Sequence, residues 1–313
     1  MATAAQGGTY QFISGSLGLR GGPVNIDHPG FRLSAAVLAT AAIGGVLASC
    51  GGDDDDDDGG STPSSLQVTA SGEKADLGFE VDAAELPAGA TEIELVNDSN
   101  AEIDAQLIYT ADEHSDDEVI AEYGKAQQGE PVAEWFEAGG GPGATHPGES
   151  STVTQELQSG TYYVVGSAGA PPGTPLARIE VSDDGDSELP EADDTVEAVD
   201  YSFSGELTAG PNSLLLENNG EQWHHFLAAR LLDGSTIEDA RKFFETEEGP
   251  PPFEEGADQS GEVQSTVLEG GTSQIVDADL VPGTYAFYCF VSDKEGGPPH
   301  IVEGMLSEVE VTE

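Results

Sequence analysis

The segment Gly283 to Met305, GTYAFYCFVSDKEGGPPHIVEGM, holds Cys289, His300 and Met305. Apart from Met1 and Cys50, the chain has no other cysteine or methionine. A thiol, an imidazole and a thioether in one short stretch make a mixed set of borderline and soft donors. Such a set suits copper in both of its oxidation states.

These donors need strands to hold them. Alternation from Gly283 to Val291 puts Tyr285, Phe287 and Cys289 on one face and Ala286, Tyr288 and Phe290 on the other, with the thiol at the far end. The segment FVSDKEGGPP, ten residues long, then leads to His300, and four more residues reach Met305 at the start of a final strand.

The wider chain runs twice through one plan. Pro87-Ala88-Gly89 and the strand TEIELVND answer Thr208-Ala209-Gly210 and NSLLLENN. Ser115 with Glu118 and Ser235 with Glu238 have the spacing of a capping box, which predicts one short helix in each copy. Gly160-Thr161-Tyr162 and Gly283-Thr284-Tyr285 each open a late strand, and each copy closes on an alternating one, through Ile179 and Val181 or Val309 and Val311. The expected fold class is all-β: two tandem Greek-key β-sandwich domains, each with one short inserted helix, after a leader. The boundaries read as a leader over 1–49, an acidic tether over 50–65, a first domain over 66–183, an acidic linker over 184–195 and a second domain over 196–313.

The order Cys289, His300, Met305 on a final strand-loop-strand resembles the cupredoxin (blue-copper, plastocyanin-like) family. In that family the remaining histidine comes from a much earlier strand. The Asn-rich segment Glu217 to His224, ENNGEQWH, is similar to the one before the family's first copper histidine, which puts His224 at the ligand position. The resemblance implies one copper ion in the C-terminal domain, held by His224, Cys289, His300 and Met305. His225 faces the other way, Trp223 and Phe226 pack around the site, and His114 and His146 are not read as ligands. In the first copy Ile103, Gly166 and Pro175 stand where His224, Cys289 and Met305 stand in the second, so that copy is expected to be metal-free.

Composition narrows the partners. With 60 acidic against 9 basic residues the formal net charge is -51, which disfavours nucleic acid and anionic membranes and favours basic proteins. The apolar run Leu33 to Leu47 is too short for an ordinary transmembrane helix and reads as the core of a signal peptide. Leu47-Ala48-Ser49-Cys50 resembles the lipobox of bacterial lipoproteins, which implies lipid attachment at Cys50 and a place on the outer face of the cell membrane. The stretch that follows, GGDDDDDDGGSTPSS, has nothing to bury and reads as a solvated spacer.

No Ser/His/Asp grouping, phosphate-cradling loop or carboxylate pair stands out. The expected role is therefore not enzymatic: one-electron transfer to or from a redox partner protein, with His300 as the way out. Two other readings stay open at this point, a metal-free cell-surface binding module and a copper storage or delivery protein.

Overall fold

The computed structural model of the chain describes residues 62–73, 77–166, 176–246, 248–254 and 262–313. The leader, Cys50, the tether as far as residue 61 and Pro175 lie outside the described residues.

The first half contains β1 (Ser64–Gly72), β2 (Gly78–Val81), β3 (Glu85–Ser99), β4 (Gln106–Thr110), α1 (Asp116–Ala126), β5 (Glu137–Ala138), β6 (Ser150–Leu157), β7 (Gly160–Val165) and β8 (Ala177–Ser187). The second contains β9 (Asp194–Val199), β10 (Ser202–Thr208), β11 (Gly210–Asn218), β12 (His224–Arg230), α2 (Ile237–Thr246), β13 (Glu262–Leu268), β14 (Ser273–Leu280), β15 (Gly283–Tyr288), α3 (His300–Glu303) and β16 (Leu306–Thr312). Period-2 alternation decides which side chains go inward. Leu66, Val68 and Ala70 of β1 are buried while their neighbours stay partly or fully exposed, and Leu214 and Leu216 of β11 follow the same rule.

Each half is a sandwich of two sheets. In the first, β2-β1-β3-β6 faces β8-β7-β4-β5, and in the second β10-β9-β11-β14 faces β16-β15-β12-β13. The registers correspond as well. Val68 pairs with Leu95 as Val196 pairs with Leu216, and Gly160 pairs with Val181 as Gly283 pairs with Val311. The same turn device precedes β4 and β12. The Asn97 side-chain amide donates to Ala101 O (2.8 Å) and Thr145 O (2.7 Å), and that of Asn218 donates to Gln222 O (2.8 Å) and Leu268 O (3.0 Å).

The halves join edge to edge. β6 and β14 pair antiparallel through Val153 with Val276, Thr154 with Ile275 and Gln155 with Gln274. The Gln106 side chain adds to this seam, since its Oε1 accepts from Val267 N–H at 2.7 Å and its amide donates to Val267 O at 3.0 Å.

Local details depart from the sequence reading at three places. In α1 the Glu118 carboxylate accepts from the N–H and the hydroxyl of Ser115, as the capping-box spacing requires. In α2 the cap is Thr236, one residue after Ser235, with Asp239 as its reciprocal partner: Thr236 N–H donates to Asp239 Oδ2 (2.9 Å) and Asp239 N–H to Thr236 Oγ1 (3.3 Å). Thr236 and Asp239 have the same spacing as Ser235 and Glu238, and the chosen register buries Ala240 completely. The acidic span 184–195 is a free connection only in its middle. β8 runs on to Ser187, which pairs with Gly89, and β9 starts at Asp194. Asp193 and Asp194 do not oppose strand formation because their carboxylates accept from Ser213 and Thr208 N–H groups. The third departure is α3, a single turn too short to show as a periodic pattern. Pro299 precedes it, and Gly304 closes it at φ 106°, a left-handed conformation that glycine adopts without steric cost.

Candidate metal centre

Three separate segments deliver the donors. The Asn218 turn aims His224 from the start of β12, Cys289 follows directly on β15, and His300 opens α3. Among the described residues these three form a group able to hold a metal ion, with their donor atoms all within 4.8 Å of one another. The His224 and His300 Nδ1 atoms are 3.0 Å apart, and Cys289 Sγ lies 3.5 Å from His300 Nδ1. All three side chains are completely buried. Met305 is equally buried, in the same core cluster as Cys289, and its N–H donates to His300 O at 2.9 Å. The turn of α3 therefore ties the methionine to the histidine.

Strand alternation sorts the neighbours as expected. Tyr285, Phe287 and Cys289 enter the main core, whereas Ala286, Tyr288 and Phe290 pack in a separate cluster beneath α2. His225 points away from the metal donors, and its Nε2 accepts from Phe290 N–H at 2.7 Å. The N–H groups of His225 and Val291 both donate to the Cys289 sulfur. His146 pairs with Glu102 at 3.1 Å, and His114 stacks on Trp135 with ring centroids 3.7 Å apart, so neither joins the group.

Burial sets the protonation of the donors. It lowers the pKa of His224 to about 4, with His300 adding to the effect, and it also lowers that of His300 against the opposing pull of Asp293. Both imidazoles are thus neutral at ordinary pH, the form that binds metal. Burial pushes the Cys289 thiol up to about 12 despite its two N–H donors. Its proton leaves when a metal takes its place. Two neutral imidazoles, one ionisable thiol and a buried thioether in an apolar shell fit a single copper ion in the C-terminal half.

The first half fills the corresponding volume with carbon. A Cβ added to Gly166, which holds the register position of Cys289, would lie 2.8 Å from Phe79 Cζ and 3.0 Å from Ile103 Cδ1. Ile103, at the position of His224, is completely buried. The first half also braces the ligand loop. Val132 N–H donates to Lys294 O (2.9 Å), Gly297 N–H to Gly129 O (3.3 Å), and the Lys294 ammonium lies 3.2 Å from Glu269, whose carboxylate also accepts from Ala138 N–H. Lys294 further sits over the Trp223 ring at 5.7 Å. Lys294→Met keeps the aliphatic stem and removes the charge. It is expected to lower stability by about 1–2 kcal/mol, read as a shift in urea midpoint that shrinks at high salt.

Three residues beside the site escape sequence reasoning. The His224 Nε2 lies 3.3 Å from Asp200 Oδ1, and the His300 Nε2 lies 2.9 Å from Asp293 Oδ1. Tyr201 donates its hydroxyl to Asp293 and meets the His300 ring edge-on at 5.2 Å. Among 60 acidic residues two particular aspartates carry no signal of their own.

No protein-family model matches the chain, and no curated protein matches it. Similar solved structures include auracyanin B, 20% identical over 38% of this chain and 87% of that one, with a TM-score of 0.25. Auracyanin from the photosynthetic bacterium Roseiflexus castenholzii is 18% identical over 37% of this chain and 94% of that one, at 0.24. The copper nitrite reductase from Nitrosomonas europaea is 13% identical over 80% of this chain and 94% of that one, at 0.21. Likenesses at this level of superposition carry no functional weight. The assignment of the centre stands on its own donors: His224, Cys289 and His300 are brought to one buried point.

Proposed function

We propose that the C-terminal half binds one copper ion, which His224, Cys289, His300 and Met305 would hold, and that the protein carries single electrons outside the cell membrane. The observation that supports this most strongly is the convergence of two imidazole Nδ1 atoms and one thiol within 4.8 Å, all from side chains without solvent exposure. A copper ion held there supplies reversible exchange of one electron. The chain's own residues do the rest. β12 and β15 fix two donors on one rigid sheet, α3 fixes the third, and the packed core excludes water.

The placement outside the membrane rests on the lipobox-like Leu47-Ala48-Ser49-Cys50 and the lipid it would carry on Cys50. Among the described residues no helix is long and apolar enough to cross a membrane. The strongly acidic composition favours a redox partner with a basic surface. His300 is fully buried and capped by Asp293, so the electron's way out runs past Asp293 and Tyr201 rather than over a bare imidazole edge.

The protein loaded with Cu(II) is expected to take up one equivalent and turn intensely coloured through thiolate-to-copper charge transfer. Cys289→Ser is expected to abolish the colour. A wild-type protein that stays colourless and binds no stoichiometric copper would sink this reading in favour of a metal-free binding module. Binding of Cu(I) without reversible voltammetry would instead identify storage or delivery.

A further inference from the structure

Both candidate imidazole ligands turn the same atom inward. Nδ1 of each faces the donor group, and Nε2 of each faces a carboxylate, Asp200 for His224 and Asp293 for His300. The two aspartates are partly exposed, yet each is held. Asp200 accepts from Glu221 N–H and Gln222 N–H at 3.1 Å each. Asp293 accepts from the Tyr201 hydroxyl at 3.2 and 3.1 Å.

One turn links the two pairs. Asp200 and Tyr201 are the two residues between β9 and β10, where Val199 pairs with Ser202. Tyr201 has φ 66°, and it is the non-glycine residue with positive φ among the described residues. A left-handed aromatic residue costs on the order of 1–2 kcal/mol and persists where its surroundings hold it. Here the conformation lets adjacent residues reach opposite histidines, Asp200 contacting His224 directly and Tyr201 reaching His300 through Asp293.

We propose that Asp200, Tyr201 and Asp293 are positioning residues of the metal centre: they fix both imidazoles with Nδ1 toward the metal and, by placing two carboxylates behind the ligands, favour the more highly charged metal state. The reason is general. A ligating imidazole whose far N–H donates to a carboxylate is locked in one tautomer and orientation and becomes a better donor. Nearby negative charge stabilises Cu(II) more than Cu(I), which lowers the reduction potential. The proposal rests on the copper reading above for its redox part only, because the orienting role concerns the imidazoles themselves.

Two measurements test it. In metal-free protein, ¹⁵N NMR of the histidine rings is expected to show His224 and His300 protonated at Nε2. Asp200→Ala and Asp293→Ala should each remove that preference at the contacting histidine alone, and Tyr201→Phe should weaken it at His300. In copper-loaded protein, Asp200→Asn and Asp293→Asn keep the shape and drop the charge. Each is expected to lower the ratio of Cu(II) to Cu(I) affinity about tenfold, a rise in potential of about 59 mV. Glu295→Gln, an exposed charge in the same loop, should change it far less. Unchanged tautomers in the alanine variants, unchanged potentials in the asparagine variants, or an equal shift in Glu295→Gln would each overturn the proposal. If the wild type takes up no copper, the copper reading fails, while the metal-free NMR still decides whether the aspartates orient the rings.

Discussion

Replacing Trp223 by Ala is expected to lower the unfolding free energy by about 3–5 kcal/mol. Trp223 stands next to His224 and is buried where the two halves meet. Its indole N–H donates to Ser292 O in the loop between Cys289 and His300, and its ring meets Phe136 of the first half edge-on at 6.3 Å. The substitution therefore opens a cavity at the seam and orphans a buried carbonyl at once. Trp223→Phe separates the two effects. It restores most of the packing and leaves the Ser292 carbonyl without its donor, for a loss of about 1–3 kcal/mol. Both variants are checked by urea denaturation, and copper affinity should follow the same order, because the loop that Trp223 anchors ends in a ligand. A Trp223→Ala protein of wild-type stability would show that the first half does not brace the site.

Metal-free protein is expected to lose stability between pH 7 and pH 5 through His224, His225 and His300, about 2 kcal/mol from each of the first two. Burial holds His225 neutral, with a pKa lowered to about 3, and the pKa of His224 is lowered to about 4. Both folded values lie below the ordinary histidine value near 6.5. The unfolded chain thus binds more protons throughout the window between, and stability falls as pH drops below about 6.5. At pH 5 the loss depends mainly on the unfolded value, since neither ring has yet taken up its proton. His225→Gln preserves an acceptor for Phe290 N–H and cannot ionise. Urea midpoints at pH 7 and pH 5 should therefore show an acid loss smaller by about 2 kcal/mol in that variant, and a full loss in it would assign the effect elsewhere. Copper on the His224 ring should protect the remainder, because metal and proton compete for the same nitrogen.

Much of this is written locally in the chain. Two-residue alternation places Cys289 with Tyr285 and Phe287 on the inward face, and turn chemistry at Asn218 sets the entry of His224 into its strand. The rarity of sulfur donors is enough to mark Cys289 and Met305. The cap of α2 shows where local patterns stop being decisive. Ser235 and Thr236 both head a capping-box spacing, and the cap falls to Thr236 in a helix that buries Ala240. The acidic span 184–195 shows another limit, for composition describes its solvated side chains and not the backbone pairing at both of its ends.

By itself the sequence determined the strands and the two similar halves, and it marked Cys289, His300 and Met305 as candidate donors, with His224 added by a family resemblance. The strands and the turns depend on periodicity and turn residues, which act over a few residues. Only the tertiary structure decided which atoms of the rings face inward, which two of the many aspartates stand behind them, and that the first half grips the ligand loop through Val132 and Gly129. These are contacts between segments far apart in the chain. Their specificity lies in shape and in single hydrogen bonds, and in a chain with 60 acidic residues no local pattern distinguishes the carboxylates that make them.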